Sequence, residues 1–147
     1  MTLLLLLACQ QASKVPENAT PYLITVTATK DECHPAATDG YEEKFTYFIA
    51  LDGSSASIYI DEQLFASGIV SGCSITYQTP IIGEESENDG NIKWQLFGQA
   101  DFDDGSDACV SGDNDWEGTE YFEIVSTEND TLEPGCEYQT DTVGKVQ

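Results

Sequence analysis

Between Asn91 and Phe97 the chain reads NIKWQLF, in which Ile92, Trp94 and Leu96 alternate with Lys93, Gln95 and Phe97. Successive side chains of an extended strand point to opposite faces, so this spacing gathers Ile92, Trp94 and Leu96 on one side. It is the cleanest half-buried strand pattern in the chain, and it makes Trp94 the expected centre of the core. A core-facing helix would repeat its apolar residues every three or four positions, and no segment does so. The fold class follows: strands, not helices.

The same reading extends in both directions. Tyr22 to Thr29 (YLITVTAT) is rich in β-branched residues. Phe45 to Leu51 carries Phe, Tyr, Ile and Leu on one phase, with Phe48 and Ala50 on the other, as in a strand covered on both faces. Asp52-Gly53 signals a turn before Ala56 to Ile60. Gly68, inside Leu64 to Val70, predicts a bulge or bend. In CSITYQT, residues 73–79, Ile75 and Tyr77 share a face with Cys73, so a bridge there enters the core from a strand end. The polar break GEESENDG, residues 83–90, precedes the central strand, and Glu120 to Ser126 and Glu137 to Gln139 complete the set. Such a run of short strands and turns predicts a small antiparallel β-sandwich stapled by disulfides, with a closed or partly closed β-barrel as the alternative.

The amino terminus reads MTLLLLLACQQA. Its apolar run is far below the roughly 20 residues that span a bilayer, but it suits the hydrophobic part of a signal segment. Leu6-Leu7-Ala8-Cys9 resembles the lipobox of bacterial lipoproteins. That resemblance implies a leader, 1–8, cut before Cys9, which then carries lipid on its thiol and new amino terminus. Gln10, by the same resemblance, points to the outer membrane or cell surface. Residues 9–21 are polar, with two prolines, and fit a lipid-anchored tether. Residues 22–147 then form one β domain of ordinary size.

Four cysteines remain in that domain, Cys33, Cys73, Cys109 and Cys136, and an exported compartment permits them to pair. Of the three possible pairings, chain order favours Cys33 with Cys73 and Cys109 with Cys136. Zinc is a poorer explanation, because no two cysteines lie close in sequence and His34 is the sole histidine.

Acidic residues number 27 against five lysines and no arginine, for a formal charge of −22. Nucleic acid and anionic membrane surfaces are excluded as electrostatic partners. Within 101–117 the acidic residues Asp101, Asp103, Asp107, Asp113 and Asp115 have spacing that suits oxygen ligation of calcium, with Cys109 able to clamp the loop. Gly105 stands where a helix–loop–helix calcium site places another ligand, so that motif is not matched. Asp115 and Glu117 form the first carboxylate pair to consider for glycoside hydrolysis. No phosphate-binding glycine loop or serine-nucleophile motif occurs.

The expected function is recognition by a lipoprotein displayed on the cell envelope, resembling the small disulfide-containing lipoproteins of Gram-negative envelopes. Its expected partners are the membrane, through the anchor, and an envelope protein or glycan. The alternatives are an acidic glycan hydrolase and a calcium-binding structural module. Intact-mass measurement on protein extracted from host membranes is expected to show loss of residues 1–8 and added acyl mass at Cys9. Cys9→Ser is expected to release the protein from the membrane fraction, and an unmodified chain retaining Met1 would refute the anchor.

Overall fold

The structure, a computed structural model, describes residues 14–33, 40–86, 90–109, 112–128 and 134–147. The leader, Cys9 and His34 lie outside these, as do the tether's first residues. Nine strands follow one another with no helix among the described residues: β1 (Thr20–Asp31), β2 (Glu42–Asp52), β3 (Ser55–Ile60), β4 (Gln63–Ser71), β5 (Ser74–Gln78), β6 (Ile82–Ser86), β7 (Gly90–Phe102), β8 (Trp116–Thr127) and β9 (Glu137–Val146). All pairings are antiparallel, in the order β5-β4-β3-β2-β1-β9-β8-β7-β6. Of the two architectures open to the sequence, this is the barrel. A second set of pairings joins β5 to β7, from Ser74 opposite Asp101 to Gln78 opposite Phe97, and closes eight strands on themselves. Closure removes the free edges that two stacked sheets would have kept.

Strand β6 is the ninth. Both β5 and β6 lie along the same edge of β7, β5 against its second half and β6 against its first. Between them, residues 79–81 occupy the place of two residues on β7, Gln95 and Leu96. Pro80 supplies no backbone donor there. Thr79 compensates: its Oγ1 accepts from Leu96 N at 3.0 Å, and its own N–H donates to Leu96 O. The break lets β6 extend past the rim, and this strand takes in residues 83–86 of the polar break.

Eight strands enclose an interior that side chains can fill. Alternation delivers them: Tyr22 and Ile24 from β1, Tyr47 and Ile49 from β2, Ile58 from β3, Ile75 and Tyr77 from β5, and Leu96 and Phe102 from β7 are all buried. Trp116, at the start of β8, is fully buried at the centre of three tyrosines, with ring centroids 5.8 Å from Tyr22, 6.2 Å from Tyr47 and 5.9 Å from Tyr77. Its indole N–H donates to Thr142 Oγ1 at 3.1 Å. Trp94, the expected centre, is instead only partly buried. It packs 5.6 Å from Phe122, which meets Tyr138 edge-on at 4.9 Å, beside a small second cluster around Cys33 and Ile124. The alternation placed Trp94 on the right face but could not say how far along the barrel it lies.

Gly68 also behaves differently from expectation. Its pairing with Ala56 and Tyr77 is regular, and the bulge in this part of the sheet lies between Ile58 and Tyr59. A side chain at Gly68 would lie 2.5 Å from Thr76 O, so close backbone packing is the reason for glycine.

The disulfides are Cys33–Cys136 and Cys73–Cys109, not the pairs favoured by chain order. Two bridges suit the oxidising compartment expected of an exported chain. Pairing of β1 with β9 brings Cys33 and Cys136, 103 residues apart, to the same end of the barrel. The β5–β7 closure does the same for Cys73 and Cys109. Chain-entropy reasoning gives the longer loop about 4.7 kcal/mol and the 36-residue loop about 3.8 kcal/mol. Non-reducing peptide mapping is expected to recover these two linkages. Replacing Cys33 and Cys136 together by Ala is expected to cost more stability than replacing Cys73 and Cys109. A Cys33–Cys73 peptide would overturn the assignment.

Candidate functional site

The phase of β8 runs Trp116, Gly118, Glu120, Phe122 and Ile124 toward the interior, so Glu120 enters the core. It is 2% exposed. Tyr47 and Tyr77 donate their hydroxyls to the same carboxylate oxygen, Oε1, at 2.9 and 2.7 Å. Thr140 lies beside the carboxylate and adds a smaller favourable contribution, although its buried Oγ1 completes no hydrogen bond. Burial is the dominant effect and raises the Glu120 pKa, against the donated hydrogen bonds, which lower it. Burial, and then the neighbouring Glu120 charge, push both tyrosines well above their ordinary value.

Gly98 makes this cluster possible. It faces Tyr77 across the β5–β7 pairing, and a Cβ at Gly98 would stand 2.1 Å from the tyrosine Cζ. The missing side chain gives the ring a slot, and the ring carries the hydroxyl to Glu120.

The reverse phase faces outward and forms a groove of about 710 Å3 over β4, β5, β7, β8 and β9, within the size range of small-molecule sites. One row across it is Ser67, Gln78, Phe97, Tyr121 and Gln139, each the register partner of the next. The adjacent row is Ile69, Thr76, Gln99 and Thr119. These side chains are amides, hydroxyls, two aromatic rings and one isoleucine, with no charge among them. Glu120 borders the groove but buries its carboxylate on the inner side.

The acidic segment 101–117 lies at one end of the barrel. Asp101, one residue before the end of β7, accepts a hydrogen bond from Ser74. Asp103 accepts from Gly105 N at 2.8 Å, and Asp115 from Val146 N at 2.8 Å. Asp107 and Asp113 are exposed in the intervening loop. Among the described residues no three His, Cys, Asp or Glu side chains converge as a metal centre. The fold thus brings the five aspartates to one region but turns several toward nearby donors. Tyr22 illustrates their local effect: burial, then Asp103, raises its pKa to about 12.

Asp115 and Glu117 flank the buried Trp116, and Glu117 accepts from Asn114 at 3.1 Å. Glu117 also faces Asp101 across β7 and β8. Asp115 is half-buried and accepts from Val146 N, whereas Glu117 is exposed and shares a shallow hollow over β5, β7 and β8 with the equally exposed Asp101. None of these carboxyls is desolvated as the acid of a glycoside hydrolase is. The buried Glu120 was missed in the sequence. Counting in twos from Trp116 to Ile124 would have found it.

No protein-family profile, curated protein or solved structure matches this chain.

A raised Glu120 pKa means that the folded state favours the protonated acid. The associated stability is present at low pH and is lost as pH rises through the folded-state value. Glu120→Gln is therefore expected to melt higher than the parent at alkaline pH, with the difference shrinking as pH falls and the parent carboxyl takes up its proton. Glu120→Ala strands two buried hydroxyls beside a cavity and is expected to cost about 2–5 kcal/mol. Calorimetric melting across pH checks both. A large loss in Glu120→Gln at every pH would overturn the assignment.

Proposed function

We propose that the protein is a recognition module, anchored by lipid on Cys9 and displayed at the outer membrane or cell surface, that makes its contacts through the outer wall of the barrel. The observation that carries this reading is the uncharged groove over β4, β5, β7, β8 and β9 on a chain of formal charge −22. A charged shell keeps such a protein dispersed, while an uncharged window within it supplies a contact area whose amides and hydroxyls cost less to desolvate than carboxylates and regain partners from a ligand that hydrogen-bonds them. Among the described residues the middle of the interior is filled by Trp116, the surrounding tyrosines and Glu120.

Binding is favoured over bond cleavage by the placement of the carboxylates. Glu120 is enclosed, whereas Asp101 and Glu117 are open to water. Because β1 begins at Thr20, the tether reaches only to residue 19, and a polar segment of that length would hold the barrel clear of the lipid surface with its wall accessible.

Soluble Cys9→Ser protein is expected to bind saturably to envelope fractions of the host. Introducing charge into the groove, with Gln99→Glu and Thr119→Glu together, is expected to weaken that binding at least about tenfold, corresponding to about 1.4 kcal/mol, while leaving the circular dichroism spectrum unchanged. Equal binding by this variant and the parent would refute the groove as the contact surface.

A further inference from the structure

We infer that the groove binds a linear, neutral glycan lying across the strands. The inference rests on the recognition reading and adds its ligand class. Three properties of the groove select that class.

The first is donor and acceptor chemistry. Gln78, Gln99 and Gln139 each present both an amide donor and an amide acceptor, and Thr76 and Thr119 add hydroxyls. A sugar ring displays paired hydroxyls that also donate and accept, so amides and hydroxyls match them without fixed charge on either side. Phe97 and Tyr121 are register partners at the middle of the row and are half-buried in the outer wall. Aromatic faces can pack against the C–H face of a sugar, and the tyrosine hydroxyl retains a polar end.

The second property is electrostatic. Along one side of the rows Asp101 faces Glu117, and along the other Glu123 faces Glu137. Asp141 lies beside Thr119 on the neighbouring strand. These carboxylates repel an anionic polymer along both sides of the groove, Glu137 less than the others because Lys30 pairs with it. They still accept hydrogen bonds from sugar hydroxyls, which a neutral glycan supplies. A basic peptide would seek the carboxylates themselves and would leave the uncharged rows without partners of matching chemistry.

The third is length. Neighbouring strands lie about 4.8 Å apart, so the row from Ser67 to Gln139 runs about 19 Å across five strands. A row of that length follows half the circuit of the eight-strand barrel, so it exceeds a single sugar and takes several rings of a chain that curves with the wall.

Calorimetry with the full mature chain tests the inference, using linear gluco-, manno- and galacto-oligosaccharides, glucose as a single-ring control and oligogalacturonate as an anionic control. One neutral series is expected to bind saturably and more tightly as the chain lengthens, with oligogalacturonate silent. Tyr121→Ala and Gln99→Ala are each expected to weaken that binding about tenfold with an unchanged circular dichroism spectrum. Absence of binding by every neutral series, or indifference to both substitutions, overturns the glycan assignment. Envelope fractions treated with periodate, which cleaves vicinal diols, or with protease separate the two readings. Envelope binding that depends on Tyr121 but survives periodate and is lost to protease rejects the glycan and retains recognition. Envelope binding indifferent to Tyr121→Ala and to the charged groove variant rejects both.

Discussion

A carboxylate sealed inside a closed barrel is the constraint around which the rest of the structure is arranged. Glu120 leaves bulk water when β7 and β5 pair, and an unaccompanied buried charge would cost several kcal/mol. Its two hydroxyl donors come from widely separated parts of the chain, Tyr47 on β2 and Tyr77 on β5. Both can reach it only when the eight-strand circuit is complete. Tyr77 further requires that Gly98 have no side chain. Closure, the glycine slot and the polar cluster therefore depend on one another. Trp116 packs against the same two tyrosines, which ties the apolar centre to the polar one.

The two disulfides fasten the circuit at its less regular places. Cys73–Cys109 joins the start of β5 to the loop that follows β7, next to the pairing that closes the barrel. Cys33–Cys136 joins the chain just after β1 to the segment just before β9. That end is where β6 extends the sheet past the rim and where Trp94, Phe122 and Tyr138 form a chain of ring contacts. The nearby ion pairs of Lys30 with Glu32 and Glu137 are exposed and add little beside a covalent link.

Charge is distributed by the same alternation that builds the core. Among the described residues, aspartates and glutamates occupy outward phases and loops, with Glu120 as the buried exception. Their mutual repulsion is weakened by salt and by distance across the surface. The outer wall between Ser67 and Gln139 interrupts this pattern with amides, hydroxyls and aromatic rings, and the pattern resumes at Asp101 and Glu117 on one side and Glu123 and Glu137 on the other.

Local sequence was sufficient for the strand class, most strand positions and the inward faces of Ile75 and Tyr77, because alternation is a property of a few consecutive residues. It also made a barrel one of two acceptable architectures and showed that the domain cysteines were suited to pairing. Tertiary structure alone decided between sandwich and barrel, since that choice lies in the β5–β7 contact. It also decided the disulfide partners, which depend on which strand ends meet after closure. The core centre moved from Trp94 to Trp116 for a similar reason: both have the right phase, but only position along the barrel separates rim from middle. Glu120 was visible as an inward phase and invisible as a satisfied group, because its partners arrive from 73 and 43 residues away. Periodicity can specify which way a side chain points, whereas what it meets there is determined by the closure of the chain around it.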